Sequence, residues 1–392
     1  MLNTVLHMMP DTSQNQRPVV LLLGPHLGAV SGVSTHLNLL FSTGLGQQFR
    51  LKHFQVGSEG RQENNLSRLI RLLTSPFKLG ATLFATRTDI VHINTSLNQR
   101  AYWRDLLYLL VAKLSGVRVV YQIHGGDLPH KFVGDNRFLR AFLRTSLSLP
   151  DVIVVLAQCE LAAYRDFIPG AHIRVIPNAI DCAPYRAVPH ECRDATTALR
   201  LIYIGRLSHQ KGLFEALSGL HLARSQGVRA TLVIAGSGPD EIALRQRVED
   251  LALTNAVTFV GPLFGEKKTA LLADADVLLF PTYAEGLPYA LLECMAAGIP
   301  AITTPVGAIP DVMTDNVHGI FVPPRTTHLI AQAIAKLAGD HELLTQMRTA
   351  CRTRIVMRYS IQRFTGEFLR LYSDIGRHRY RPLPGWLRNK TP

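Results

Sequence analysis

Short, mostly apolar runs, many of them closed by glycine, proline or a small polar residue and followed by a segment of helical spacing, recur along this chain in two series. The first series occupies residues 18–24, 51–56, 89–93, 117–123, 152–156 and 173–176. The second occupies residues 199–204, 230–235, 257–260, 277–280 and 300–303. Runs that are apolar throughout suit strands buried on both faces, and strands that alternate with helices build parallel sheets. Between the series, residues 183–198 are proline-containing and aperiodic, which marks a linker. At 392 residues the chain exceeds what one core usually serves. The expected fold is therefore α/β with two parallel-sheet domains, residues 1–190 and 191–360. A basic helix and tail, 361–392, is expected to cross back to the first domain. No unit of 20–50 residues repeats, and no segment is of low complexity.

Composition narrows the class. With 47% hydrophobic and 18% charged residues, the chain has the makings of large cores. No apolar stretch approaches the ~18 residues of a transmembrane helix. The first ten residues lack the basic start, apolar middle and cleavage site of a secretion signal. Five cysteines, at 159, 182, 192, 294 and 351, show no paired metal spacing and suit reduced thiols in a cytoplasmic protein. The formal charge of +13 is concentrated: residues 345–392 hold eleven Lys/Arg against Glu367 and Asp374. Nucleic acid and an anionic membrane surface are the partners such charge admits. No nucleic-acid reading motif is present, so nucleic acid is not expected.

Ligands of parallel α/β folds gather at the C-terminal strand ends, and several loops there carry polar groups. Glu285 and Glu293 lie eight positions apart in a proline- and glycine-rich frame, residues 281–300. An apolar strand precedes them, Gly286 permits a turn, and a helix from Pro288 to about Ala297 stops at Gly298. Two carboxylates then flank an anion site at a helix N-terminus, a layout for a diphosphate between two polyols. Arg206 and Lys211 follow the first strand of the second series, where both reach the same crevice and can carry a diphosphate. In the first series, a small-residue loop containing Gly28 and Gly32 precedes a helix expected over 33–45. It does not match G-x-G-x-x-G, so no NAD is expected. Residues 94–98 and His124-Gly-Gly-Asp127 are read as two further strand-end loops.

These residues resemble the retaining glycosyltransferases of family 4, of GT-B fold. The similarity is carried by Glu285 and Glu293 in their frame, Gly205-Arg206 with Lys211-Gly212, Val175-Ile-Pro-Asn178-Ala-Ile-Asp181, and the His124-Gly-Gly loop. It runs from about residue 18 to 365, densest over 175–323 and thin over 51–116. It implies two Rossmann-like domains facing across a cleft. Arg206 and Lys211 would grip the donor diphosphate and Glu293 the ribose hydroxyls. Glu285 would hold the transferred sugar, with the Gly286 and Leu287 amides on phosphate. His124 would stand beside the reacting face, and Gly32 and Gly205 near the donor. Asn178 and Asp181 would shape the interdomain turn. Two positions depart from the family pattern: Ala308 replaces a second glycine, and Asp311 stands where glutamate is common.

The implied reaction moves a sugar with retention from a UDP- or GDP-sugar to an acceptor hydroxyl, with no cofactor and no metal. Asn94 and Asp127 are placed on the acceptor side. Residues 66–78 and 131–144 mix arginine and lysine with apolar and aromatic side chains at helical spacing, as does the tail 377–390. Such stretches suit either an ordinary solvated helix or the interfacial layer of an anionic membrane. The second option points to a polyprenyl-diphosphate-linked acceptor in exopolysaccharide or O-antigen assembly, with the protein peripheral on the inner face of the plasma membrane. A soluble acceptor, a nucleotide-sugar epimerase and a non-catalytic sugar-nucleotide-binding protein are the alternatives.

Overall fold

The computed structural model describes residues 17–29, 31–61, 63–185 and 197–377. The first six strands are β1 (Val19–Gly24), β2 (Arg50–Gln55), β3 (Ile90–Leu97), β4 (Arg118–Gly126), β5 (Val152–Val155) and β6 (Ile173–Val175). They form one parallel sheet in the order β2-β1-β3-β4-β5-β6. The helices of this half are α1 (Gly32–Ser42), α2 (Asn65–Thr86), α3 (Gln99–Leu114), α4 (Pro129–Val133), α5 (Arg137–Leu147) and α6 (Gln158–Phe167).

The second sheet contains β7 (Leu199–Ile204), β8 (Ala230–Ala235), β9 (Val257–Phe259), β10 (Val277–Phe280), β11 (Ala301–Thr303) and β12 (Gly319–Phe321). It is also parallel, in the order β12-β11-β10-β7-β8-β9. Its helices are α7 (Leu213–Ser225), α8 (Glu241–Asp250), α9 (Gly265–Ala273), α10 (Tyr289–Ala297), α11 (Ile309–Val312), α12 (Thr327–Gly339) and α13 (His341–Arg358), and α14 (Ile361–Arg377) follows them in the chain. This is the GT-B arrangement of two Rossmann-like sheets.

The period of two along each strand assigns the cores. In the first sheet, Leu21, Leu23, Val91, Ile93, Val119 and Ile153 face a core built with α2, α3, α5 and α6. Their neighbours Val20, Leu22, Ile90, Val120, Val152 and Val154 face the opposite side. There the covering side chains come from α1 and from the far end of the chain. Phe364, Phe368, Leu371, Tyr372 and Ile375 of α14, at helical spacing, are buried against that face.

Local chemistry moves several element ends from where the sequence placed them. The first helix stops at Ser42 rather than near 45, because Thr43 takes an extended conformation and opens a 3-10 turn over Gly44–Gln47. β3 and β4 run on through residues read as loops. Asn94 to Leu97 stay paired with β4 across a register shift, and His124 to Gly126 complete that strand. Asn98 caps α3, its side chain accepting from Ala101 N at 2.9 Å. Residues 131–144 divide between α4 and α5, with Asn136 capping the second. β12 was not foreseen from the sequence, where Gly319 leaves only Ile320 and Phe321 as an apolar signal before Val322 and the prolines. The basic tail beyond Arg377 lies outside the described residues.

Candidate active site

Lys211 and Glu285 are 74 positions apart in the chain and 2.5 Å apart in space. The backbone joins their segments. Tyr283 N donates to Gln210 O at 2.9 Å, and the Thr282 hydroxyl bonds Gln210 O and the Glu285 carboxylate. Gly212, left-handed at φ +67°, sits against the Pro281 carbonyl, where any side chain would collide. The Lys211 ammonium also lies 5.9 Å from the centre of the Phe280 ring.

Glu293 is the fifth residue of α10, and its carboxylate meets Lys268 of α9 at 2.5 Å. Lys268 was not singled out from the sequence; it stands in an ordinary polar helix, and only the fold brings it to Glu293. Between the two glutamates, the amides of Gly286 and Leu287 have no hydrogen-bond acceptor among the described residues. They therefore remain open to an anion at the start of α10. Arg206 is exposed, and its guanidinium forms no ion pair among the described residues. Its loop is held by Gly205 N donating to Ala235 O and Leu207 N to Ser237 O, both at 3.0 Å.

The two halves meet at this turn. An added Cβ on Gly125 would stand 3.3 Å from the Cα of Gly286, and one on Gly286 only 2.8 Å from the His124 carbonyl oxygen. A Cβ added to Gly32, the first residue of α1, would stand 3.8 Å from the Tyr289 ring of α10. Asn178 donates its amide to Leu287 O at 2.8 Å across the halves, and Ala308 N bonds Gly286 O at 3.0 Å. The Asp311 carboxylate accepts from Gln158 N at 2.5 Å, so this shorter acid meets the start of α6. His124 thus comes beside the Glu285–Leu287 turn although about 160 positions separate them.

Behind His124 lies a buried polar chain. His124 Nε2 donates to Asn94 Oδ1 at 2.8 Å, and the Asn94 amide donates to Leu23 O at 3.0 Å. His36 packs edge-on to His124 with ring centres 4.6 Å apart. His92 donates to Gln122 at 2.9 Å and accepts from Tyr372 of α14 at 2.8 Å. Burial pushes the pKa of His92 and of His124 down to about 3, and that of His36 well below the ordinary value. All three rings are therefore neutral. With Nε2 carrying the hydrogen, His124 presents a bare Nδ1. Of the two acceptor-side candidates, Asn94 is 2% exposed with its amide engaged as described. Asp127 lies farther out and pairs with Lys131 at 2.7 Å.

Two family models divide the chain at the linker. Glycosyltransferase Family 4 matches residues 40–183, and Glycosyl transferases group 1 matches residues 193–354. The chain belongs to the family 4 glycosyltransferases. The amylovoran biosynthesis glycosyltransferase AmsK of Erwinia amylovora is 26% identical over 315 residues, 78% of this chain and 73% of AmsK. This glycosyltransferase-family chain spans about half the length of the other leading curated relatives it matches. Among solved structures, sucrose-phosphate synthase from Thermosynechococcus elongatus superposes with a TM-score of 0.74 at 18% identity, covering 92% of this chain and 99% of that one. Anabaena HepE in complex with UDP-glucose gives 0.70 at 16% identity, covering 91% and 99%. Both show the GT-B fold.

Proposed function

We propose that this family 4 chain is a retaining, metal-independent glycosyltransferase that moves a sugar from a UDP- or GDP-sugar to an acceptor hydroxyl. The observation that carries the reading is the Lys211–Glu285 pair beside the open Gly286 and Leu287 amides, with Glu293 one helical turn beyond and His124 opposite. A donor diphosphate would occupy the amides, Lys211 and Arg206. Taking over Lys211, it frees Glu285 to accept from sugar hydroxyls, while Glu293 accepts from the ribose. The acceptor hydroxyl approaches on the face that the diphosphate leaves. The bond from the anomeric carbon to the phosphate oxygen breaks as the bond to the acceptor oxygen forms, and the acceptor proton passes to the departing phosphate. Arg206 and Lys211 act chiefly as negative charge gathers on that phosphate. The neutral His124 can accept a hydrogen bond from the sugar without adding a competing positive charge.

The acceptor in this reading is a polyprenyl-diphosphate-linked saccharide, and the protein works at the inner face of the plasma membrane. The relationship to AmsK supports a polysaccharide product. No helix among the described residues is long and apolar enough to cross a membrane, so association would be peripheral. A panel of UDP- and GDP-sugars, assayed for release of nucleoside diphosphate and for the anomer formed, tests the reading. Release from one donor, with the anomeric configuration kept and with activity lost in Lys211→Ala, is expected. No release from any donor, or an inverted product, would overturn it.

A further inference from the structure

Three adjacent helices of the first half turn apolar side chains to solvent. Along α2, Leu66, Ile70, Leu73, Phe77 and Phe84 recur at helical spacing, and Phe77 is 81% exposed. The opposite face of that helix buries only Ser75, Leu79 and Leu83, so its first two turns stand clear of the core. Along α3, Trp103, Leu107, Leu110 and Leu114 form a second exposed stripe at the same spacing. On α5, Phe142 is exposed and Phe138 is 90% exposed.

The α3 and α5 stripes join where the Trp103 and Phe142 ring centres are 5.5 Å apart, and α2 is packed beside α3 through the buried Ser75 and Tyr108 hydroxyls, 2.7 Å apart. An exposed apolar surface this extended needs an occupant.

Charge identifies it. The three helices carry nine Lys/Arg and one carboxylate, Asp105, which is fully buried against Arg104. Arg68, Lys78, Arg100 and Arg137 have no ion-pair partner among the described residues. Two copies of such a face would repel, and an acidic protein groove would have to be apolar along three helices at once. An anionic bilayer offers both features: acyl chains for the stripes and headgroups for the arginines. We propose that the α2–α3–α5 face is the membrane-docking surface, with anionic phospholipid as its occupant.

Position links docking to turnover. α3 begins at the end of β3, α2 follows β2 after an intervening loop, and the C-terminal end of β4 touches the Gly286 turn. Docking by this face sets the cleft mouth beside the bilayer, where a lipid-linked saccharide can reach His124 while its prenyl chain stays in the membrane. This link rests on the lipid-linked acceptor proposed above.

Sedimentation with vesicles of phosphatidylglycerol and, separately, of phosphatidylcholine tests the proposal, using the whole chain and the triple variant Leu73→Ser/Phe77→Ser/Phe138→Ser. All three side chains are exposed, so the variant keeps its core. The chain is expected to sediment with the anionic vesicles, less so as salt rises, and the variant to lose affinity on the order of tenfold or more. Equal binding of both vesicle types, unchanged binding by the variant, or a dimer in solution that the variant dissolves would overturn it. Donor hydrolysis, measured alongside without vesicles, is expected to be equal in the two proteins. Loss of hydrolysis from both would overturn the donor reading and leave the docking result standing on its own.

Discussion

The buried histidines make stability depend on pH in a way that can be worked out. His36 and His92 are fully buried and neutral, whereas in the unfolded chain each titrates near 6.5. Their folded pKa values are depressed, so the unfolded state binds protons first as the solution is acidified. Their stabilisation is complete above about pH 6.5 and is lost as pH falls below it, for His92 toward about 3. From about pH 7.5 to about pH 5.5 His92 costs about 1.3 kcal/mol, and His36 acts in the same direction.

Glu160 works in the opposite direction. Burial raises its pKa to about 6, so its folded form gains the proton first and returns about 0.8 kcal/mol over the same interval. His124, also near 3 when folded, costs as much as His92, so the net loss from these three groups is about 2 kcal/mol, to which His36, His53 and His318 add. Urea unfolding at the two pH values measures it. His36→Met, similar in volume and without a titrating group, should reduce the pH-dependent loss. The readout is the slope against pH rather than absolute stability, because the His36 ring faces the Gln122 and Asn178 side chains and the variant removes those contacts too. Stability that does not change between the two pH values, or an unaltered slope in the variant, would refute the burial of neutral imidazoles.

Other substitutions probe the site and its frame. Lys211→Ala should lower turnover by about 10²–10³-fold, the effect of losing one fixed stabiliser of developing charge, as read by steady-state kinetics with the best donor. Gly286→Ala places a methyl 2.8 Å from the His124 carbonyl oxygen. That oxygen belongs to the backbone and cannot step aside, so the contact between the two halves must shift: thermal stability should fall by about 1–3 kcal/mol, and kcat should fall with it because the turn carrying Glu285 moves. Phe368→Ala removes a fully buried ring of α14 and should cost about 3–5 kcal/mol in urea unfolding.

Much of the architecture was legible because its signals are local. Leucine- and valine-rich runs such as residues 19–23 read as buried strands from composition alone, and the Gly286-to-Gly298 frame marks both ends of α10. That Lys211 and the Glu285 loop share a crevice was likewise expected, since each follows a strand at the same end of the sheet; the ion pair between them was not. What escaped depends on contacts across the chain. Lys268 has no distinguishing neighbours until α9 lies beside α10. His92 and Gln122 sit in apolar strands, where only the return of Tyr372 on α14 shows how they are satisfied. The two strand-end loops resolved into strand because pairing between β3 and β4 outweighs the turn tendency of Gly125 and Gly126. Asn94 consequently stands behind His124, in contact with its ring rather than on an open loop.

The central claim is that Arg206, Lys211, Glu285 and Glu293 surround one seat for a nucleoside-diphosphate sugar. Titration calorimetry with UDP and with GDP, on the unaltered chain and on Arg206→Ala and Glu293→Gln, tests it most directly. One nucleotide should bind at a single site, with affinity reduced at least about tenfold in each variant, as befits loss of a hydrogen-bonded charged contact. Binding of neither nucleotide, or binding that neither substitution weakens, would contradict it.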